Sequence, residues 1–514
     1  MLEALMNLSV PDAMMDPAAY PLQPDRVELR ETHISWVFLA GNKAYKVKKP
    51  VRYPFVDYST RPLRHAACRA EVELGRRFAR ELYRGIVALI PTPGGGLAVQ
   101  PEYDPRAVEY AVVMGRYDEA STLEARLARG TAQPSELEAV GAAVARLHAA
   151  APVEDHDDLP GVIEETLTTL TTTGAPPQRV AALGRFCRAA LAAHGPELAQ
   201  RARSGHVRDG HGDLRAEHLL LGPEIAAVDG VEFDRGLRVA DVGYDFAFLT
   251  MDVARHDEAL ARALVRGYRK AGGDPGSPAL LDFFCAVRAL VRAKVDLLRA
   301  AQLTGAASQE RCARAWDLLT LAERFAWRVR LPRLICVTGL AASGKTTLAE
   351  ALSAASGYRV LSSDRIRKLR AGVDPYQYAG AGAYGDNESR AVYAELAQRA
   401  ARALRDGDGV IVDATFRRAA DADAFLTGAR ATERAGWIVC EAPTELRLER
   451  AALRATQDSI SDAGPGVVAR EAALHRHVSA LPGPPIALLD TSGPLPLVLE
   501  QLARQLDARL PGTT

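Results

Sequence analysis

The sequence of 514 residues predicts two domains of different class, an N-terminal α+β bilobal domain followed by a C-terminal α/β domain with a parallel sheet. Three observations predict it. Alternating β-type runs are confined to about residues 25–115, and helical patterning takes over to about residue 330. From Leu334 the rhythm becomes strand, helix, strand. The strands of that second part are near-continuous apolar runs, as a sheet covered on both faces requires.

Composition restricts what such a chain can do. Lys plus Arg and Asp plus Glu are both 64, so no global field favours nucleic acid or an anionic membrane, and any anion binding must be local. Cys68, Cys187, Cys285, Cys312, Cys336 and Cys440 form no CxxC pair, which argues against a zinc knuckle or a disulfide framework and for reduced thiols. The stretch MLEALMNLSVPDAMMDP lacks a basic leader, and no apolar run approaches the roughly 20 residues that span a bilayer. The expectation is a cytoplasmic protein with a small-molecule substrate and neither nucleic acid nor membrane as partner. Oligomeric state is not legible.

Taken in order, ETHISWVFLA and AYKVKK flank Gly41-Asn42 as a hairpin. RPLRHAACRAEVELGRRFARELY follows as a helix with Ala67, Glu71, Leu74 and Phe78 on one face, so Glu71 points to apolar structure and Glu73 to solvent. GLAVQ and AVEYAVVM complete a small β-rich lobe that ends in a hinge at Met114–Tyr117. Within the helical lobe, His148 reads as a core histidine, and one non-helical insert, HGDLRAEHLLLGPEIAAVDGVEFD, reads as a loop and a hairpin split by Gly222-Pro223. Arg330-Leu-Pro-Arg333 marks a composition shift, so the domains are drawn at 25–330 (small lobe about 25–115, helical lobe about 116–330) and 333–505.

The strongest motif lies in the second domain. Gly339-Leu-Ala-Ala-Ser-Gly344-Lys345-Thr346 fits GxxxxGK[ST] between strand LICVT and helix TTLAEALSAA. Backbone N–H groups of Gly339, Ser343, Gly344 and Thr347 are expected to cradle phosphates, with Lys345 reaching the terminal phosphates and Thr346 offering a hydroxyl to magnesium. Asp364, in LSSDRIRK, is placed to orient a substrate hydroxyl and take its proton; an N-cap role is the alternative, and the two can coexist. Asp413, ending GVIVDA, is suited to hold magnesium. Arg447, Arg450 and Arg454 share one side of TELRLERAALR, either over the nucleotide, where Arg450 would act in transfer and Arg454 in nucleotide binding, or as a solvated face. Together these residues resemble the small-molecule P-loop kinases of the gluconate kinase and zeta-toxin type, over roughly residues 333–505. No basic, aromatic-studded groove for a nucleic-acid strand is legible.

In the first domain, HGDLRAEH places Asp213 five residues before His218, and Asp229 ends the run IAAVD. With a lysine in AYKVKK and the inward Glu71, these residues resemble the aminoglycoside phosphotransferase family, a branch of the protein-kinase-like fold with the pattern HxDxxxxN. That resemblance implies Asp213 as catalytic base, Asp229 as a metal-binding acid, Lys46 (or Lys48, on the same strand face) as the phosphate lysine, and Glu71 as its ion-pair partner. His211 would brace the loop, and Asp245 would be structural. Two departures stand out. His218 occupies the metal-binding asparagine position although magnesium prefers oxygen ligands, and THISWVF lacks the glycines expected over phosphates. Either the metal site is altered, with Glu217 compensating, or this half is a weak or lapsed kinase; retention of base, acid, lysine and glutamate favours activity. The order of the halves resembles bacterial fusions of an aminoglycoside-phosphotransferase-like domain with a P-loop kinase. The implied function is an ATP- and Mg2+-dependent phosphotransferase acting on small hydroxylated molecules such as sugars or aminocyclitols. A nucleotide-gated regulatory protein is the alternative.

Overall fold

The computed structural model describes residues 9–53, 56–431, 435–454, 460–473 and 481–510, so the expectation about a leader falls partly outside the described residues. The chain divides into two compact units, Met1–Val162 with Glu197–Ser277, and Ile163–Pro196 with Pro278–Thr514. This division differs from the line drawn at 330–333. Residues 163–196 and 278–330 group with the C-terminal sheet because packing, not sequence rhythm, defines a compact unit.

In the first unit, β1 (Val27–Glu31), β2 (Ser35–Ala40), β3 (Lys43–Lys48), β4 (Tyr83–Pro91), β5 (Leu97–Pro101) and β6 (Glu109–Gly115) form one antiparallel sheet in the order β1-β2-β3-β6-β4-β5. The register pairs Val37 with Lys46 and Ser35 with Lys48, so both lysines stand on one face of β3. Helix α1 (Arg61–Phe78) crosses that face and buries Cys68, Glu71, Val72, Leu74 and Phe78. β1 and β4 were not separately legible in the sequence.

The helical part of this unit includes α2 (Pro134–Ala150) and the non-helical insert. The insert carries β7 (Val207–Asp209), the hairpin β8 (Leu219–Leu221) and β9 (Ile225–Ala227), and β10 (Val239–Asp241), which pairs with β7. The nearly fully buried α5 (Val242–His256) follows, then α6 (Glu258–Lys270), while α3 (Leu159–Thr172) and α4 (Pro177–Arg203) are divided between the units. The first unit thus has the order that the sequence predicts: sheet, crossing helix, loop and hairpin.

The second unit contains α7 (Pro278–Ala300), α8 (Gly305–Arg330) and a five-stranded parallel sheet. Its strands are β11 (Leu334–Gly339), β12 (Arg359–Ser362), β13 (Val410–Asp413), β14 (Ala435–Glu441) and β15 (Ala487–Asp490), in the order β12-β13-β11-β14-β15. β11 is buried throughout, and helices α9 (Lys345–Ser356), α10 (Ser363–Ala371), α11 (Asp386–Arg405), α12 (Ala419–Ala429), α13 (Thr444–Arg454), α14 (Pro465–Ala473) and α15 (Leu495–Asp507) complete the unit. Helix α8 is tied to it by Arg330, whose Nε donates to Asp507 at 2.6 Å, and by Arg328, which donates to the Ser356 carbonyl at 2.9 Å. Among the described residues no helix is long and apolar enough to cross a membrane.

Candidate functional site

The phosphate loop joins β11 to α9 at the carboxyl end of the central strand, where an open parallel sheet leaves a crevice. Gly339 has φ +148°, and a Cβ there would lie 2.4 Å from the Cys440 carbonyl oxygen, so only glycine lets the loop leave the sheet this way. Gly344, with φ +85°, turns the chain into α9 and aims the helix N-terminus back across the loop. Lys345 donates to the Leu340 carbonyl at 2.9 Å, and burial lowers its pKa against the pull of Asp413. Thr346 donates its hydroxyl to Asp413 Oδ2 at 2.7 Å. Burial raises the Asp413 carboxyl above its ordinary value, with Lys345 opposing.

Thr346 and Asp413 therefore present two hard oxygens side by side, a donor set that fits Mg2+. Asp364, half-buried, lies in the first turn of α10. The cap of that helix is Ser362, which accepts from the Arg365 N–H, so Asp364 does not serve as the N-cap. Gly344, Lys345, Thr346, Thr347, Asp364 and Asp413 all border one cavity of about 1290 Å³, as do Arg450 and Arg454. That volume exceeds the several hundred Å³ of typical small-ligand pockets, leaving room for a nucleotide and an acceptor together.

The three arginines of α13 have separate tasks. Arg447 is buried, pairs with Glu471 and donates to the Ala341 carbonyl at 2.8 Å. Glu471 in turn accepts the Ala341 N–H at 3.0 Å, so one ion pair holds both polar groups of a phosphate-loop peptide residue. Arg447 is thus not part of a solvated face. Arg450 donates to the Thr491 carbonyl at 2.6 Å beside the cavity. Arg454 has its pKa lowered by burial, with Asp364 opposing and Arg450 adding to the shift. Also bordering the cavity, Asp462 accepts from the Ala379 N–H at 3.0 Å and the Tyr384 hydroxyl at 2.7 Å and pairs with buried Lys368 at 3.0 Å. This fixes a segment whose Tyr376, Tyr378 and Tyr384 form an aromatic rim.

In the first unit, the structure brings Lys46, Glu71 and Asp229 together. Lys46 Nζ lies 2.8 Å from Glu71 Oε1 and 2.9 Å from Asp229 Oδ1. Lys48 also reaches Glu71, at Oε2 and 2.6 Å, but its other partner is Glu232 and it is fully buried. The two candidate lysines thus share one glutamate, and Lys46 is the one that meets Asp229. Lys46 holds the Asp229 carboxyl well below the usual range against burial, while burial of Lys46 itself is outweighed by Asp229 and Glu71, which raise its pKa. Asp229 sits at φ +58°, a strained conformation for a non-glycine residue that turns the chain out of the hairpin.

The loop bearing Asp213 is held from beneath. Asp245 accepts the His211 N–H at 2.9 Å and the Gly212 N–H at 3.0 Å, and Asp252, two turns along α5, accepts the Ala216 N–H at 3.2 Å. His211 Nε2 meets the Val228 carbonyl at 3.0 Å, and burial pushes its pKa down to about 4, so the ring is a neutral brace. His148 is buried, with Nδ1 2.8 Å from the Tyr268 hydroxyl. Asp213 itself is half-buried and accepts from Arg215 Nε at 2.9 Å. His218 does not stand ready for a metal: Nδ1 faces the Asp213 carbonyl at 2.8 Å and Nε2 faces Arg215 at 3.2 Å. Among the described residues no three His, Cys, Asp or Glu side chains converge as a metal site.

Across nearly the whole chain, this sequence is 31% identical over 480 residues to the uncharacterized protein Rv2004c of Mycobacterium tuberculosis, covering 87% of this chain and 90% of that one; the uncharacterized protein Mb2027c of Mycobacterium bovis matches equally. The chain belongs to the Rv2004c family. In this member of the Rv2004c family, residues 334–477 also match a family model described as an AAA domain, which takes in the phosphate loop, Asp364, Asp413 and α13. Solved structures similar to this family member include a choline/ethanolamine kinase family protein from Mesorhizobium loti, at 18% identity over 61% of this chain and 98% of that one, with a TM-score of 0.39. A gluconokinase from Sinorhizobium meliloti is similar at 19% identity over 35% of this chain and 94% of that one, with a TM-score of 0.25.

Sequence reasoning missed Asp252, Arg215, Glu232, Glu471 and Asp462. Only the first had a local signal, two aspartates seven residues apart on one face of an apolar helix. Arg215 acts on its loop neighbours Asp213, Glu217 and His218, while Glu232, Glu471 and Asp462 act on groups far away in the chain.

Proposed function

We propose that this protein is an ATP- and Mg2+-dependent phosphotransferase with two active sites, each moving a phosphoryl group to the hydroxyl of a small polyhydroxylated metabolite of the sugar or aminocyclitol kind. The observation that carries the proposal is the shared cavity at the phosphate loop, where Lys345, the Thr346–Asp413 pair and Asp364 all face one space.

In the second unit, loop amides and Lys345 bind the phosphates, Lys345 giving up the Leu340 carbonyl for phosphate oxygens. Thr346 and Asp413 would hold the magnesium, which would supply charge to offset that of the phosphates. Asp364 orients the acceptor hydroxyl and accepts its proton as oxygen bonds to the γ-phosphorus and the bond to the ADP oxygen breaks. Arg450 and Arg454 border the cavity as cations for the transferring group. The tyrosine rim supplies flat faces against which a ring-shaped acceptor can pack. In the first unit, Lys46, positioned by Glu71, would take the phosphates, Asp229 would hold the metal, and Asp213 would take the proton.

The test is mass spectrometry of a metabolite extract incubated with ATP and wild-type protein, Asp213→Ala or Lys345→Ala. Each substitution should remove its own product, one phosphate heavier than an acceptor. Loss of no product from either variant sinks the proposal, and nucleotide binding that responds to ligand without any product favours a nucleotide-gated regulator.

A further inference from the structure

The departure at His218 has a counterpart in the structure. A carbonyl oxygen only accepts and a guanidinium only donates, so the contacts of His218 with the Asp213 carbonyl (2.8 Å) and Arg215 (3.2 Å) define its tautomer. The hydrogen is on Nδ1, and the single lone pair, on Nε2, is used by Arg215. A metal ion would need that same lone pair. The guanidinium also donates its Nε–H to Asp213 Oδ1 at 2.9 Å and pairs with Glu217, the residue that could otherwise compensate for the missing asparagine. Asp213, Glu217 and His218 all turn toward Arg215, so they do not fit a divalent ion.

We propose that Arg215 is the built-in cation of the N-terminal catalytic loop, standing between Asp213 and His218 where kinases of this fold place a metal ion on the loop asparagine, so that the site takes metal only at Asp229. This rests on the reading of the first unit as a phosphotransferase. A guanidinium is permanently charged and planar, so it fixes the direction of Asp213 and His218 as well as supplying charge. Asp252 keeps it in register by anchoring Ala216, the next residue. Arg215 acts through Asp213 and is a positioning residue.

The test uses the full chain. With Mn2+ alone, and again with a non-hydrolysable ATP analogue, pulsed EPR should show no directly bound imidazole nitrogen; a nitrogen coupling that vanishes in His218→Asn overturns the proposal. Freed of the guanidinium, Arg215→Gln should gain that coupling, and Arg215→Lys should not. In a Lys345→Ala background, Arg215→Gln should raise the Mg2+ concentration for half-maximal transfer by about tenfold, because transfer then depends on a second, weakly held Mg2+ taking the place of the guanidinium. A lower rate at unchanged Mg2+ half-saturation would mean a merely structural role and also overturns it. If the Lys345→Ala protein binds no nucleotide and makes no product, the phosphotransferase reading of this unit fails, while the Mn2+ spectra still decide whether His218 is a ligand.

Discussion

Thr346 donates its hydroxyl hydrogen to Asp413 across 2.7 Å, joining the first turn of α9 to the end of β13 at the floor of the phosphate-loop cavity. Burial raises the Asp413 carboxyl, so the folded state holds its proton more tightly than the unfolded chain does. The associated stability is fully present below the ordinary carboxylate value of about 3.9 and is lost as pH rises through the folded value. Ionised Asp413 is also the form that takes Mg2+. Affinity for Mg2+-nucleotide, measured by calorimetry across pH, should therefore fall on acidification at a higher pH than an exposed carboxylate would give. Asp413→Asn should remove that dependence together with most of the metal affinity; an unchanged profile refutes the assignment.

The buried pair Arg447–Glu471 grips both polar groups of Ala341. Removing one partner leaves an uncompensated buried charge, a loss of about 3–5 kcal/mol. Glu471→Gln and Arg447→Met should each lower stability to urea by that order and weaken nucleotide binding. Replacing both together should cost less than the sum, because no lone charge remains. Additive losses in the double-mutant cycle would show that the two do not act as a unit.

How far such relationships were legible depends on how local their cause is. The phosphate loop, the strand rhythm after Leu334 and the inward face of α1 follow from short-range spacing, and the structure places Lys345, Thr346, Asp364 and Asp413 around one cavity. Lys46 and Lys48 could not be separated by pattern, since both stand on one face of β3; the partners Asp229 and Glu232, nearly two hundred residues later, distinguish them. The same holds for Glu471, whose role depends on a loop 130 residues earlier. Helices 278–300 and 305–330 carry amphipathic signals that do not say which unit they join.

Lys46 and Lys48 should separate in experiment. Lys48→Met leaves Glu232 buried beside Glu71 without its lysine, and should destabilise by about 3–5 kcal/mol. Lys46 is partly exposed, so Lys46→Met should cost less stability while abolishing transfer by the first unit. Acid titration gives an independent check. The depressed Asp229 carboxyl contributes stability above its unfolded pKa that is lost as pH falls through the folded value, and Lys46→Met should shrink this loss. Equal acid sensitivity in Lys46→Met and wild type would show that Lys46 is not what holds Asp229 ionised.

Asp462 gathers the Ala379 N–H, the Tyr384 hydroxyl and the Lys368 ammonium, and so positions the tyrosines that border the cavity without itself belonging to the phosphate loop. If the rim receives the acceptor, its order should matter to the acceptor and not to the nucleotide. Tyr384→Phe removes one hydrogen bond, a loss of about 0.5–1.5 kcal/mol, and should raise KM for the acceptor modestly. Asp462→Ala removes all three contacts and should raise that KM by about tenfold or more, with nucleotide Kd unchanged, because Lys345 and the loop amides are anchored elsewhere. Steady-state kinetics on the acceptor found by mass spectrometry, with nucleotide binding measured in parallel, separates the two. A variant that loses nucleotide affinity while keeping acceptor KM would place the acceptor on another wall of the cavity.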